Sequence, residues 1–209
     1  MNYLYGRFIR SMYHKKFLII ALLLVLALFS RAQIPKFKSN TSENEKLLSP
    51  IYKSLSNQYD LIIGFTAECY WWSDRKPYRL LAFKNGIWLK GYFYSKRRKN
   101  HSWTNPTIKL KEINKDSANS ILNYLSDAGF FVLNRDTLNI DRRKINDKQD
   151  EVFSISDAVN YRFEILTKNT FTIIESYQPD YFLEKLPEFK SREIFIKYRD
   201  WFIEKYKNL

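Results

Sequence analysis

Side-chain character alternates with a period of two residues between Asp60 and Trp72. One parity is apolar throughout: Leu61, Ile63, Phe65, Ala67, Cys69 and Trp71. The other parity is mixed and includes Glu68, Tyr70 and Trp72. One apolar face with a period of two is typical of a half-buried β-strand, since successive side chains of a strand point to opposite faces. We therefore predict a long strand here, with Cys69 facing the core and Glu68 facing outward.

The segment that follows predicts a β-hairpin. It reads YRLLAFKNGIWLKGYFYS, and its Asn85-Gly86 pair suits a type I′ turn because both central residues of that turn need positive φ. The strands are predicted at Tyr78–Lys84 and Ile87–Tyr94. Pairing outward from the turn gives one face with Leu80, Ala82, Ile87, Leu89 and Phe93. The opposite face receives Arg79, Leu81, Phe83, Trp88, Lys90, Tyr92 and Tyr94.

The remaining segments predict three helices, two short strands and a second hairpin. Helices are expected at 42–57, 116–128 and 191–207. The first begins with capping-box spacing between Ser42 and Glu45 and is broken at Pro50, and the second ends at Gly129. Short strands are expected near 107–110 and 130–134, and the second hairpin at 159–177. The predicted fold is α+β, with a mostly antiparallel sheet of six to seven strands and three helices packed mainly on one face.

The first 32 residues have the composition of a secretory signal peptide. They contain five basic residues and no acidic ones, and the 13 residues from Phe17 to Phe29 are all apolar. Small residues follow at Ser30 and Ala32, so we predict cleavage between Ala32 and Gln33. The alternative is a retained N-terminal membrane anchor, although a helix of this length spans only ~20 Å of a hydrocarbon layer of roughly 30 Å.

Residues 33–209 are predicted to form a single domain, with a mobile lead at 33–41. Removing the five basic residues of the first 32 from a net charge of +13 leaves +8. Abundant Lys, Asn and Ile are typical of AT-rich bacterial genomes. Together with the predicted signal peptide, this composition leads us to expect export to the periplasm, outer envelope or medium. The single cysteine, Cys69, excludes an intramolecular disulfide. For a basic exported protein we expect an envelope protein, or an anionic polymer or lipid surface, as the partner, and we expect no nucleic acid.

Few residues suit catalysis. His101 is the one histidine that remains after cleavage, and the apolar neighbours of Cys69 favour a core position for that thiol over a Cys–His dyad. No zinc, calcium or nucleotide motif occurs, so we expect no metal and no cofactor. The alternative function is a glycan-processing hydrolase that uses Glu68, with Asp60 or Asp74 as the second carboxylate.

Aromatic and basic residues give the clearest functional indication, since 17% of the chain is aromatic. If the first strand and the hairpin share a sheet, one face would present Glu68, Tyr70, Trp72, Trp88, Lys90 and Tyr92. Tyrosine and tryptophan rings with interspersed cations suit a protein or polymer partner. The adjoining KRRK run would add attraction to anionic surfaces through Lys96, Arg97, Arg98 and Lys99. The alternative for the sheet face is that helices cover it. The alternative for the basic run is a solvated loop without a partner. We predict a non-catalytic binding domain.

Overall fold

The computed structural model describes residues 34–35, 37, 39–69, 75–96, 104–127 and 129–209. Pro35–Leu209 forms one compact unit. The predicted signal peptide or anchor lies outside the described residues, and so do Tyr70, Trp72, Arg97, Arg98 and Lys99 of the predicted binding face. Among the helices that are described, none combines the length and the apolar character needed to cross a membrane.

The described part of the chain contains eight strands and six α-helices. The strands are β1 Leu61–Cys69, β2 Arg75–Lys84, β3 Ile87–Lys96, β4 Thr107–Glu112, β5 Arg142–Asn146, β6 Gln149–Val152, β7 Val159–Thr167 and β8 Phe171–Tyr177. The helices are α1 Glu43–Leu48, α2 Pro50–Leu55, α3 Lys115–Asp127, α4 Arg135–Leu138, α5 Pro179–Lys185 and α6 Lys190–Asn208. A turn of 3-10 helix covers Phe130–Val132.

Six of the strands form one antiparallel sheet in the order β4-β3-β2-β1-β7-β8. Strands β1 to β4 follow one another as a meander, and the β7–β8 hairpin pairs with the free side of β1. Strands β5 and β6 form a separate two-stranded sheet. The predicted α+β class with a largely antiparallel sheet is confirmed.

The first hairpin has the predicted turn and register. Asn85 and Gly86 have φ values of 51° and 85°, as the type I′ turn requires. Lys84 pairs with Ile87 next to the turn, and Arg79 pairs with Tyr92 further along. Both predicted faces of the hairpin therefore hold, because a shift by one residue would have exchanged them.

Helices cover both sides of the sheet. On the side that we call the α2 side, Ile51 and Leu55 of α2 pack in one apolar cluster with the strand residues Ile62, Leu80, Ala82, Leu166 and Ile173. On the opposite side, the α6 side, the ring centroid of Phe202 lies 5.9 Å from that of Phe65 and 5.3 Å from that of Phe163. Helix α3 packs against α6 on this side through the stacked rings of Tyr124 and Trp201. The two longest helices thus share one side, as predicted, while the helical segment predicted at 42–57 contributes α2 to the other side.

Strand β1 differs from its prediction as a half-buried strand. Its first six residues, Leu61 to Thr66, are all buried, because β1 lies in the middle of the sheet and both sides are covered. Cys69 at its end is only partly buried, so the predicted core position of the thiol is wrong. Within the described residues β1 pairs with β2 only as far as Phe65, and Cys69 pairs with Val159 of β7 alone.

The segment after α3 also departs from the prediction. Gly129 has a φ of 76° and ends the helix in the left-handed conformation, as expected. The predicted strand at 130–134 is instead a 3-10 turn, in which the neighbouring residues Phe130 and Phe131 are both buried. Two adjacent side chains of a strand would point to opposite faces, so burying both aromatic rings on the α6 side requires a turn.

Residues 39–41 of the expected mobile lead lie along the outer edge of β8. The Asn40 side chain accepts a hydrogen bond from the backbone N–H of Ile173 (2.9 Å) and donates one to its carbonyl oxygen (2.8 Å). The hydroxyl groups of Ser39 and Thr41 both donate to the Phe171 carbonyl oxygen. These bonds hold the segment against the sheet.

A fully buried carboxylate lies on the α2 side of the sheet. Glu164 of β7 is 0% exposed and accepts hydrogen bonds from Ser49 Oγ (2.5 Å), Tyr78 Oη (3.1 Å) and Arg162 Nε (2.8 Å). Arg162 also bonds Glu175 Oε2 at 2.9 Å. Burial, together with the nearby Glu164 charge, raises the pKa of Tyr78 well above its ordinary value. The tyrosine therefore stays protonated and remains a donor to the carboxylate.

We predict that Glu164→Ala lowers the free energy of unfolding by about 3–5 kcal/mol, because the change leaves Arg162, Tyr78 and Ser49 without their shared acceptor. Urea denaturation measures the loss. The matched control is Glu204→Ala, which removes a glutamate whose side chain is 67% exposed and should change stability by less than about 0.5 kcal/mol. Equal losses in the two variants would contradict a structural role for the buried carboxylate.

Candidate functional site

The predicted binding residues do not share one face of the sheet. Phe65 pairs with Arg79, and Arg79 pairs with Tyr92, so the side of the sheet that carries Phe65 also carries Tyr92. Glu68 has the opposite parity in β1 and lies on the α2 side, opposite Asn160 of β7. The prediction that Glu68 joins Trp88, Lys90 and Tyr92 is therefore wrong, because it assumed a β1–β2 register that differs by one residue from the observed one.

Trp88 belongs to the core. Its side chain is 1% exposed, its ring packs against that of Phe83 at 4.9 Å, and its Nε1 donates to Asn119 Oδ1 of α3 at 2.9 Å. The alternative of a face covered by a helix thus holds at this position. A side chain this deeply buried has no surface to offer a partner.

Lys90 lies at the boundary between the covered and the open part of the α6 side. Its Nζ donates to the Tyr206 carbonyl oxygen (3.0 Å) in the last turn of α6 and lies 5.2 Å from the centroid of the Tyr206 ring. A cation is favourable at this end of a helix. Burial, and then the like charge of Lys111, lowers the pKa of Lys90. Helix α6 thus holds Lys90 in place where its coverage of the sheet ends.

Beyond Lys90 the α6 side opens to solvent. Tyr92 is 54% exposed, and its ring is nearly perpendicular to that of Tyr206, with 6.1 Å between the ring centroids. Tyr94 is partly buried, and Lys96 Nζ lies 5.8 Å from the centroid of its ring. A groove of about 330 Å³ lies across β2, β3 and β4, lined by Pro77, Tyr92, Phe93, Tyr94, Thr107 and Lys109. Exposed tyrosine beside a groove gives this part of the sheet a flat, amphipathic contact area.

Strand β4 supplies further cations to the same open area. Lys109 pairs with Tyr92, and Lys111 pairs with Lys90, so both lysines lie on the α6 side. We call this area the β3–β4 basic surface and define it by Lys90, Tyr92, Tyr94, Lys96, Thr107, Lys109 and Lys111. Within the described residues of β2, β3 and β4, the single acidic residue is Glu112, which pairs with Leu89 on the α2 side. The surface therefore combines several positive charges with no acidic neighbour in its own strands.

Sequence reasoning missed Lys109 and Lys111. The signal was present in the segment TIKLKE, where the lysines recur at every second position and so share one face of a strand. Which face that is depends on the register of β4 against β3, and the two strands are joined by a connection of ten residues. A long connection does not specify register as a two-residue turn does.

Glu68 lies beside the buried polar network of the α2 side. Thr66, its neighbour on the same face, pairs with Arg162, and the buried Thr66 hydroxyl has no hydrogen-bond partner among the described residues. Burial would lower the pKa of Arg162, but several raising effects together outweigh it, among them the charges of Glu164 and Glu175 and the hydrogen bond to Glu164, so the pKa is raised. Asp60 is eight residues away along the strand, which is about 26 Å, so it does not serve as a second carboxylate for Glu68. Asp74 lies outside the described residues.

The thiol of Cys69 and the acidic side chains are the remaining groups of the described residues that could support chemistry. Cys69 Sγ lies 4.0 Å from the Asp157 carbonyl oxygen, and its expected partner His101 lies outside the described residues. No group of three or more His, Cys, Asp or Glu side chains among the described residues is arranged to hold a metal ion. The β3–β4 basic surface is the strongest candidate site.

Comparisons with protein-family models, with curated protein sequences and with solved structures found no match.

The Tyr206 hydroxyl donates to the Gly91 carbonyl oxygen beneath the basic surface, and burial raises the pKa of Tyr206 to about 12. A group with a raised pKa in the folded state contributes stability that is complete below its unfolded pKa of about 10 and is lost as the pH rises towards 12. We predict that the free energy of unfolding of the wild type exceeds that of Tyr206→Phe by about 1 kcal/mol at pH 8, and that this difference shrinks by pH 11. Urea denaturation at both pH values measures it, and a constant difference would contradict the buried position of the hydroxyl.

Proposed function

We propose that this protein is an exported, non-catalytic binding domain of the bacterial envelope, and that its β3–β4 basic surface holds an anionic protein or polymer. The observation that carries the proposal is the exposed ring of Tyr92 next to Lys109, on a face of β2–β4 where the described residues include no acidic side chain.

The chemistry of the surface favours an anionic partner that is extended and has apolar parts. Lysines carry a strongly hydrated charge on a flexible stem, so they attract anions without fixing one geometry. Tyr92 and Tyr94 add apolar area that a free anion does not use, and this area favours a sugar ring or a side chain. Attraction of this kind falls with added salt.

We expect the double variant Lys109→Ala/Lys111→Ala to bind dextran sulfate and poly-glutamate about tenfold to thirtyfold more weakly than wild type, since each lysine near an anionic surface is worth about 1 kcal/mol. The slope of log affinity against log salt should also become shallower. Titration calorimetry at several salt concentrations measures both quantities. The matched control is Lys144→Ala/Lys148→Ala in the exposed β5–β6 hairpin, which removes the same charge.

Equal losses in the two double variants would mean that only net charge matters, and the proposed surface would be wrong. Tyr92→Ala and Tyr92→Phe then separate the ring from the hydroxyl. If the ring provides contact area, binding falls in the alanine variant and stays in the phenylalanine variant.

A glycan-processing hydrolase is the second candidate, and it is favoured by the position of Glu68 beside the buried Thr66 hydroxyl, which has no hydrogen-bond partner in the part of the chain that the structure describes. A screen of cell-wall and acidic polysaccharides distinguishes the two functions. Turnover that is lost in Glu68→Gln, but kept in the Lys109→Ala/Lys111→Ala variant, would replace the binding proposal with an enzymatic one.

Export is tested by the mass of the mature chain. We expect protein recovered from the envelope of the producing cell to begin at Gln33, since Ser30 and Ala32 provide the small residues that signal peptidase requires. Intact-mass spectrometry measures this. A mass that includes the first 32 residues would instead support the N-terminal anchor.

A further inference from the structure

The two outer edges of the six-stranded sheet differ in how their backbone groups are satisfied. Along β8, the residues whose N–H and C=O groups point away from β7 are the odd-numbered ones, because Gln178 N–H bonds Val159 O on the inner side. Asn40 bonds both outer groups of Ile173, and Asn139 bonds the carbonyl oxygen of Glu175 and the N–H of Tyr177. Side chains thus occupy this edge along most of its length.

The edge formed by β4 is open within the described residues. Ile113 N–H bonds Trp88 O, so the odd-numbered residues of β4 bond β3 and the even-numbered ones point their backbone groups outward. The outward-facing residues are Ile108, Leu110 and Glu112. Their outward N–H and C=O groups have no partner in the described part of the chain, in contrast to those of β8. An unpaired strand edge is a template for another strand.

We propose that β4 binds an extended acidic peptide segment of a partner protein, which adds a seventh, antiparallel strand to the sheet. The proposal rests on the proposed function and names the class of the anionic partner as polypeptide. Backbone hydrogen bonds to Ile108, Leu110 and Glu112 hold the peptide, and side chains select it, as in other cases of β-strand addition.

The side chains of β4 specify the composition of that peptide. Residues paired across two antiparallel strands share a face, so peptide residues opposite Lys109 and Lys111 lie on the α6 side and are acidic. Peptide residues opposite Ile108 and Leu110 lie on the α2 side, where Ile108 is 37% exposed, and these are apolar. The peptide therefore alternates acidic and apolar residues.

The same lysines disfavour a second copy of the chain on this edge. If two β4 strands paired across a two-fold axis near their centres, Lys109 would lie opposite Lys109 or Lys111 of the other copy on the α6 side. Like charges directly opposite one another destabilise a strand pair. An acidic strand replaces that repulsion with attraction.

The test uses a capped eight-residue peptide that alternates Glu and Val, and two N-methylated versions of it. In antiparallel pairing the N–H groups that face β4 belong to the Val residues, because only residues on the α2 side form the hydrogen-bonded pairs with Ile108 and Leu110. Methylation of the Val nitrogens should therefore weaken binding by about tenfold or more, whereas methylation of the Glu nitrogens should leave it unchanged. Titration calorimetry with the full chain measures all three affinities.

A pair of protein variants tests the same bonds from the other side. Ile108→Pro removes an outward N–H while keeping the bonds of Lys109 and Lys111 to β3, a position where an edge strand accepts proline. Peptide affinity should fall in Ile108→Pro and stay in Ile108→Val, with circular dichroism and thermal melts confirming that both fold.

Two results would overturn strand addition. Equal affinity for the two methylated peptides would mean that charge alone holds the peptide. Absence of peptide binding, while poly-glutamate still binds in a manner that depends on Lys109 and Lys111, would reject the paired strand and leave the proposed function intact. Loss of that lysine dependence would reject the proposed function itself.

Discussion

The buried carboxylate of Glu164 is the constraint that relates the parts of this fold to one another. Its three donors come from different elements: Ser49 caps the start of α2, Tyr78 belongs to β2, and Arg162 lies on β7 itself. Burial of an unpaired carboxylate is costly, so the charge is tolerated only when all three donors are in place. Ser49 Oγ makes two hydrogen bonds, because it donates to Glu164 and also accepts one from the Tyr52 N–H. A shift of α2 along the sheet would therefore either break its N-cap or remove the Ser49 donor from Glu164.

The location of the open surface follows from this layered packing. Helix α2 is fixed over the central strands on one side, and α6 crosses the other side as far as Tyr206, whose hydroxyl meets Gly91 of β3. Under these two helices the first six residues of β1 are buried on both faces. Neither helix covers Tyr92 of β3 or Lys109 of β4, and both side chains are exposed. Lys90 marks the boundary, because the end of α6 binds its ammonium group. Thus the exposed tyrosine and lysines occur where helical coverage ends.

Local signals in the sequence predicted local structure well. The Asn85-Gly86 turn determined both register and facing of the β2–β3 hairpin, and the Ser42–Glu45 capping box and Pro50 placed the two short helices correctly. What failed depended on distant contacts. The facing of Glu68 relative to Tyr92 requires the β1–β2 register, and the burial of Trp88 requires knowing that α3 covers it. Both are set by tertiary packing, and a period of two in one strand carries no information about either.

The unequal protection of the two sheet edges explains why lysine recurs on β4. Soluble proteins protect exposed edges with short strands, charges or covering segments, because an open edge pairs with any available strand. On β8 the side chains of Asn40 and Asn139 satisfy the backbone directly, which closes that edge to every strand. On β4 the backbone groups of Ile108 and Leu110 stay unpaired among the described residues, and Lys109 and Lys111 act only through charge. Charge repels copies of the same chain but attracts an acidic strand, so this form of protection disfavours self-association through β4 while leaving the edge available to a complementary partner.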